Sequence, residues 1–420
     1  MPAGRTCQRR ARLAAGRRRG VTTIAVEIVI DADGHVLEPP DLWERYLEPT
    51  YRARAIRVRR GGDGRDFLEV DGRPARLTTP EMLGGLGGMG KSLEELATAC
   101  LAGRYAESAP PAATDPAARL ALLDHDGIAR ALLYPSLGLQ WEAEAPDPGY
   151  ALAHTRAYNR WIEEFSAGSG GRLVPIAHLS LGDPEAAARE LRRAVRAGAR
   201  GGFLLPFTLS GLPHGHPAHD PLWAAAEELD VPIAIHTGVD PTTRDLHRRF
   251  DGLTWPEGVV QGIWYLSLMF AQAVQQAFST FFLYATFDRF PRLKLVVLES
   301  GAGWLAYWLD RMDAFATGPL RVTLPLRERP SAYVRRQCWI SADPDERTLP
   351  PVIEQVGDDR FLWATDYPHS DHGAGYMAEL HELGERLPAA SRRRLFGENA
   401  ARLYNLDPRP CLGSDSEASV

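Results

Sequence analysis

The sequence predicts a closed (β/α)8 barrel of the TIM-like kind, and three observations carry that expectation. Eight short apolar runs alternate with helical stretches between Ile28 and Tyr404, and alternating βα units imply a parallel sheet. Eight is the number of strands that closes such a sheet on itself. Five residues able to do chemistry, Asp33, His35, His236, Glu299 and Asp366, each stand at the C-terminal end of one of those runs. That is the end at which barrels of this kind build their active sites.

The first strand lies in Ile28-Val-Ile-Asp-Ala-Asp-Gly-His35, which starts apolar and β-branched and ends in two candidate metal ligands one residue apart. On an extended backbone, residues i and i+2 point to the same side. Asp33 and His35 can therefore converge on one ion, and Gly34 lets the chain bend between them. An insertion of about residues 47–116 then separates this strand from its partner. It reads as a β-hairpin with arms Ile56–Val58 and Phe67–Val70, joined through Gly61-Gly-Asp-Gly64. A Gly-rich loop from Gly84 to Gly90 follows, then a helix from Ser92 to Ala102 and an Ala/Pro-rich surface loop from Glu107 to Pro116.

A regular rhythm begins at Ala117. Helix 117–126 leads to strand Ile128–Tyr134, and helix Tyr150–Gly168 to strand Leu173–Leu179. Asp183-Pro184 supplies an N-cap and a first-turn proline for a helix that runs to about Ala197. Strand Gly202–Leu205, helix Asp220–Leu229 and strand Val231–His236 continue the pattern. A long uncharged helical region covers Val259–Phe287. Strand Leu293–Leu298, helix Trp304–Phe315, strand Cys338–Ser341, helix Leu349–Val356 and strand Phe361–Thr365 complete the barrel. Helices Glu379–Leu387 and Ala390–Tyr404 close the chain.

The 420 residues are divided accordingly: 1–22 a disordered basic extension, 23–406 one barrel, 407–420 a loose tail. A net charge of -6 argues against a nucleic-acid partner. The basic run through Arg19 lacks the apolar core of a secretory signal. Cys7, Cys100, Cys338 and Cys411 are isolated, which fits a reducing cytoplasm and offers no thiolate metal site. The uncharged stretch contains Gln261, Gln272, Gln275 and Gln276, amides that would each need a partner in lipid. No membrane association is expected; buried helices at a subunit interface are, and with them a homodimer. Trp141, Trp264, Trp304 and Phe282 are candidates for an aromatic pocket, although core packing is the commoner use of such residues.

Taken singly, a histidine at a strand end is more often a hydrogen-bonded core residue, and an aspartate there an N-cap. Five such groups at the same end of one barrel point to a metal site. Imidazole and carboxylate donors suit zinc, manganese or iron.

The chain resembles the amidohydrolase-related superfamily, within it the group of aminocarboxymuconate-semialdehyde decarboxylase and related aromatic acid decarboxylases. The likeness rests on Asp31-Ala-Asp-Gly-His-Val-Leu-Glu38, Leu133-Tyr-Pro135, Arg172-Leu-Val-Pro175, Asp220-Pro-Leu-Trp223 and Val231-Pro-Ile-Ala-Ile-His-Thr-Gly238. It continues through Phe287-Asp-Arg-Phe-Pro-Arg-Leu-Lys294, Leu298-Glu-Ser-Gly-Ala-Gly-Trp304, Thr365-Asp-Tyr-Pro-His369 and Glu398-Asn-Ala-Ala-Arg-Leu-Tyr404, and so covers about residues 28–406. The resemblance implies metal ligation by Asp33, His35, His236 and Asp366, with one divalent cation, zinc ahead of manganese. Asp33 stands where the group has His or Glu. Glu299 stands where many of its decarboxylases have a histidine. His369 and His372 are close enough in sequence to replace that imidazole, or to brace a loop.

The implied reaction is non-oxidative decarboxylation of an aromatic or unsaturated carboxylic acid, with Asp366, Glu299 and His369 as the candidate catalytic groups. A second reading keeps the same site and hydrolyses an amide, ester or lactone, with Glu299 or Asp366 taking a proton from water. A more distant one rests on Gly85-Leu-Gly-Gly-Met-Gly-Lys-Ser92, which matches the phosphate-cradling G-x-x-x-x-G-K-S. That motif needs an apolar strand before it, and Pro80 interrupts Leu77–Leu83. A flexible lid over the barrel mouth is the better expectation for this loop.

Overall fold

The computed structural model of the chain describes residues 27–241, 259–318, 324–370 and 372–407, with the backbone alone over 259–267. The expected basic extension, Cys7, Cys411, the Trp264 side chain and all but the first residue of the expected tail lie outside the described residues.

β1 (Ile30–Val36) opens the barrel. The segment after it carries an antiparallel sheet of β2 (Arg57–Arg60), β3 (Asp66–Val70) and the short β4 (Arg73–Pro74). The expected hairpin is thus a three-stranded sheet, because the chain turns again at Asp71-Gly72 and pairs once more with β3. β5 (Arg130–Pro135) then pairs in parallel with β1 and with β6 (Leu173–Pro175). At Ile176 the chain changes partner, and β7 (Ala177–His178) pairs with β8 (Gly202–Leu204). β9 (Ile233–Ile235), β10 (Leu295–Val297), β11 (Cys338–Ala342) and β12 (Phe361–Trp363) follow in order, all parallel.

β6 and β7 occupy one barrel position between them, so the ring has eight. It is closed between the end of β12 and β1, where the Asp366 N–H donates to the Asp33 carbonyl at 2.9 Å and the His35 N–H to the Tyr367 carbonyl at 2.6 Å. The barrel interior is filled by Ile30, Ala32, Leu132, Val174, Phe203, Ala234, Val296 and Leu362, and Ala400, Leu403 and Tyr404 of the last helix pack against them. A second, larger apolar layer lies between the strands and the surrounding helices.

The helices begin where the sequence marks them. Asp115, Asp147 and Asp183 each accept a backbone N–H three residues on, and each is followed by proline in the first turn. A capping aspartate satisfies one of the orphan donors, and proline there forgoes one that has no partner anyway. The expected surface loop after Glu107 is instead two short helical turns, Tyr105–Ser108 and Pro111–Thr114. Ala113 is buried there, and its carbonyl accepts the Leu37 N–H. Most of the uncharged region forms one helix, Val259–Leu283, with Phe278, Phe281 and Phe282 in the core, and its end enters the short helix Thr286–Arg289. Among the described residues, no helix is long and apolar enough to cross a membrane.

One irregularity in β1 places the residues of the barrel mouth. Between Asp31 and Gly34 the register of β1 against β5 slips by one residue. A bulge of this kind swaps which face successive side chains occupy. Ile30 and Ala32 belong to the inner layer, but Val36 belongs to the outer one. The extra residue turns Asp33 and His35 into the barrel mouth and leaves Asp31 behind them.

Candidate metal centre

Asp33 and His35 in the second half of β1, and His236 directly after β9, are fully buried. His236 Nε2 lies 3.2 Å from Asp33 Oδ1, and His35 Nε2 lies 3.6 Å from that atom and 3.0 Å from Asp366 Oδ1. The ligand-capable atoms of Asp33, His35 and His236 all lie within 4.8 Å of one another, and so do those of His35, Asp366 and His369. Both Asp33 oxygens, His35 Nε2 and His236 Nε2 are buried with no hydrogen-bond partner, short separations notwithstanding. Buried polar atoms are nearly always bonded, and leaving several unbonded at one spot is costly. Donor atoms placed ~2.1 Å from a shared ion stand ~3–3.4 Å from each other. The residues therefore fit a divalent cation.

The other edge of each imidazole is already committed. His35 Nδ1 lies 2.9 Å from the Pro135 carbonyl, and His236 Nδ1 lies 3.0 Å from the Thr237 carbonyl. A carbonyl only accepts, so each Nδ1 carries a proton, and Nε2 is the edge of each ring that faces the other candidate ligands. Burial, then the neighbouring His369 and His236, push the His35 imidazole well below its usual range. Burial also pushes His236 down, but the carboxylates of Asp33 and Glu299 outweigh it and lift the group to about 9.

Asp366 follows β12 and has a left-handed backbone, φ 54°. Such a conformation is uncommon away from glycine and turns the chain sharply at the mouth. His369 sits one turn on, its ring 4.2 Å from that of His35. Its Nδ1 is 2.9 Å from Asp366 Oδ1 and its Nε2 is 2.8 Å from Ser136 Oγ. The connectivity is that of a nucleophile–base–carboxylate chain, but Ser136 is fully buried. The N–H groups of Ser136, Leu137 and Gly138 all donate to the Glu38 carboxylate, at 3.1, 2.8 and 2.8 Å. No donors remain there for an oxyanion, so acyl transfer through Ser136 is not supported.

Glu299 does not join the ligand atoms. Its Oε2 accepts from Thr237 Oγ1 at 2.7 Å and lies 3.4 Å from His236 Nδ1. Its backbone is left-handed too, φ 47°, and its N–H donates to Ser341 Oγ. Its carboxylate thus lies against the far edge of a candidate ligand, where carboxylates stand behind metal-bound histidines. His372 lies farther out, with Nε2 3.8 Å from Asp343 Oδ1. His369, not His372, is the imidazole the fold brings to the centre.

The Gly-rich segment is not built as a phosphate loop, and it packs on its neighbours. A helix, Pro80–Gly85, precedes it where a strand would be required. The Lys91 ammonium donates to the Gly87 carbonyl. Met89 N–H donates to the Pro368 carbonyl at 3.0 Å, and a Cβ on Gly88 would come within 2.7 Å of the Ser370 Cβ. The glycines permit close packing against the segment that carries Asp366 and His369. Of the aromatic candidates whose side chains are described, Trp141 and Phe282 are core and Trp304 is half-buried against it. Trp141 packs among Trp43, Tyr150, His154 and His178, Phe282 against Phe278, Phe287 and Tyr333, and Trp304 on Phe278.

Residues 30–406 match the family described as Amidohydrolase. Gamma-resorcylate decarboxylase of Rhizobium radiobacter is 30% identical over 303 residues, which cover 69% of this chain and 87% of that one. Among solved structures, an amidohydrolase of Mycobacterium avium subsp. paratuberculosis K-10 matches with a TM-score of 0.74 at 22% identity, over 90% of this chain and 99% of its own. A dihydroxybenzoic acid decarboxylase of Polaromonas sp. JS666, solved with manganese and the inhibitor 2-nitroresorcinol, matches with a TM-score of 0.60 at 20% identity, over 90% and 97%. A match spanning nearly all of the barrel, with a curated relative at that identity and coverage, means that this chain belongs to the amidohydrolase family.

Proposed function

We propose that the chain is a metal-dependent, non-oxidative decarboxylase of a hydroxylated aromatic carboxylic acid. The observation that carries the reading is the convergence of unbonded donor atoms of Asp33, His35 and His236 at the barrel mouth, with Asp366 and His369 beside them. The names of the matched relatives supply the substrate class. Asp33, His35, His236 and Asp366 would hold the cation. When bound, it supplies Lewis-acid charge that neutralises a substrate carboxylate and fixes a neighbouring oxygen. Zinc is the first expectation from the donor set, and the manganese of the Polaromonas enzyme makes that ion the second.

The reaction breaks the bond between ring carbon and carboxylate. The electron pair stays on the ring carbon, one proton adds there, and carbon dioxide leaves. We assign Asp366 as the group that delivers the proton. His369 holds that carboxyl from Nδ1 and is itself held by Ser136, so the acid is fixed in direction. Glu299 acts through His236. The deep burial of Asp33, His35 and Asp366 excludes water from the reacting end.

The protein is further read as a homodimer of the cytoplasm, acting on a small carboxylic acid, with no nucleic-acid or membrane partner. Leu268, Leu283, Tyr307 and Phe315 are exposed on two helices joined by the Trp308 Nε1 bond to Ser279 Oγ, which supports an apolar subunit contact. Cys100 and Cys338 are free thiols, in keeping with a reducing compartment.

The test is carbon dioxide release by full-length protein loaded with manganese or zinc, over a panel of mono- and dihydroxybenzoates and amino-carboxymuconates. The expected product, made in heavy water, carries deuterium on the carbon that lost the carboxyl. Hydrolysis of an amide, ester or lactone without carbon dioxide would favour the hydrolase instead. Silence across the whole panel would remove the decarboxylase.

A further inference from the structure

Behind the centre lies a fully buried ion pair that the reaction does not use. Arg119, on the helix Pro116–Asp126, is 1% exposed, and so is Asp31. Arg119 Nη1 donates to the His35 carbonyl at 2.9 Å, its Nη2 lies 3.8 Å from Asp31 Oδ2, and its guanidinium carbon sits 4.6 Å from the centre of the Tyr367 ring. Asp31 in turn reaches the other ligand-bearing segment. Its Oδ1 accepts the Thr365 N–H at 3.0 Å and its Oδ2 the Thr365 hydroxyl at 2.7 Å. Oδ1 is also 3.3 Å from the Asp33 N–H, and Thr365 Oγ1 accepts the Tyr367 N–H at 2.9 Å.

These contacts meet at the seam where β1 and the end of β12 close the barrel. Each partner of the clamp is bonded next to a candidate ligand: Thr365 precedes Asp366, Asp31 bonds the amide of Asp33, and Arg119 bonds the carbonyl of His35. Gly34 is part of the device. A Cβ there would stand 2.5 Å from both Arg119 Nη2 and Asp31 Oδ2, so only glycine lets the pair pass under the strand. A buried ion pair is a poor source of stability, because desolvation cancels much of the attraction, but it fixes geometry sharply. Arginine is required rather than lysine, since one planar group must bond a carbonyl, face a carboxylate and stack on a ring at once.

We propose that Arg119, Asp31 and Thr365 are positioning residues that hold Asp33, His35 and Asp366 at the spacing a divalent cation needs, and so set the affinity of the centre for manganese and zinc. The inference rests on the reading of Asp33, His35, His236 and Asp366 as ligands.

The experiment measures manganese and zinc affinity of full-length protein by competition with a chelator, together with the melting temperature of the metal-free form. The variants are Thr365→Val, Arg119→Lys and Asp33→Asn. Thr365→Val keeps shape and backbone bond and deletes only the hydroxyl contacts. It is expected to weaken cation binding about 10–100-fold, the usual size for a residue behind a ligand, while the metal-free melting temperature stays within a few degrees. Arg119→Lys, which keeps the charge, is expected to fall in the same range of affinity. Parent-like affinity in both variants would overturn the proposal. So would a melting temperature that falls in step with affinity in Thr365→Val, because the clamp would then be a general staple. Asp33→Asn separates the two claims: if it binds the cation as the parent does, the ligand assignment itself fails, whatever the other variants show.

Discussion

His236 presents Nε2 to Asp33 at 3.2 Å and its opposite edge, Nδ1, to Glu299 at 3.4 Å. The ring thus stands between a candidate ligand and a second carboxylate. Glu299→Gln keeps the shape and the bond from Thr237 but removes the charge. It should weaken cation binding roughly 10-fold and lower kcat by a similar factor. Metal affinity and steady-state rates of the variant check this. A kcat loss of about 100-fold or more with unchanged metal affinity would make Glu299 a proton-transfer group in its own right.

His369 is predicted to matter to the chemistry and not to the holding of the ion. His369→Asn should keep the metal content of the parent and lose about 100-fold or more in kcat, because it directs the Asp366 carboxyl. Metal analysis beside turnover decides the matter. Loss of the metal instead would place His369 among the ligands.

The Gly-rich segment yields a contrast between two neighbours. Gly88→Ala would bring a Cβ within 2.7 Å of the Gly85 carbonyl oxygen and the Ser370 Cβ. It should cost about 1–3 kcal/mol of stability, as overpacking does, and lower kcat by shifting His369. Lys91→Ala should leave turnover within a few fold, and the parent should not bind ATP. Urea unfolding, rates and nucleotide binding are the measurements. A harmless Gly88→Ala would contradict the close packing of this segment on Ser370.

Two histidines far from the centre set an acid limit. His154 bonds the Tyr150 carbonyl and stacks on the Tyr150 ring, and His214 bonds the Leu205 carbonyl; burial depresses each to about 4. The unfolded chain protonates these groups near pH 6.5 and the fold does not. Their contribution is therefore complete above about pH 6.5 and is lost as pH falls toward 4. Each should remove roughly 2 kcal/mol at pH 5 relative to pH 7. His214→Gln, compared with the parent by urea unfolding at both pH values, should show a pH loss smaller by about that amount. Equal losses would show that His214 is not held neutral.

The candidate centre was legible because strand ends are. Asp33, His35, His236 and Asp366 each follow an apolar run, and barrel topology gathers such ends on one rim. The clamp was not legible, because Arg119 and Thr365 meet Asp31 only where the ring closes, and nothing in Ala117-Ala-Arg119 marks a buried charge. The bulge in β1 was hidden for a related reason. Gly34 hints at a bend, but a register slip is a property of two strands together. Glu38 lies in what reads as a plain loop, and its three amide partners lie beyond the end of β5. The packing of the Gly-rich segment on Ser370 was not legible, because glycine marks mobility and close packing with the same letter.

The proposed arrangement is a divalent cation bound at the rim by groups from β1 and from the ends of β9 and β12. Anomalous diffraction from crystals of the manganese-loaded protein, recorded on both sides of the manganese edge, tests it most directly. The predicted result is a single strong peak within about 2.5 Å of an Asp33 carboxylate oxygen, His35 Nε2, His236 Nε2 and an Asp366 carboxylate oxygen. A peak away from these four side chains, or none in manganese-saturated crystals, would contradict it.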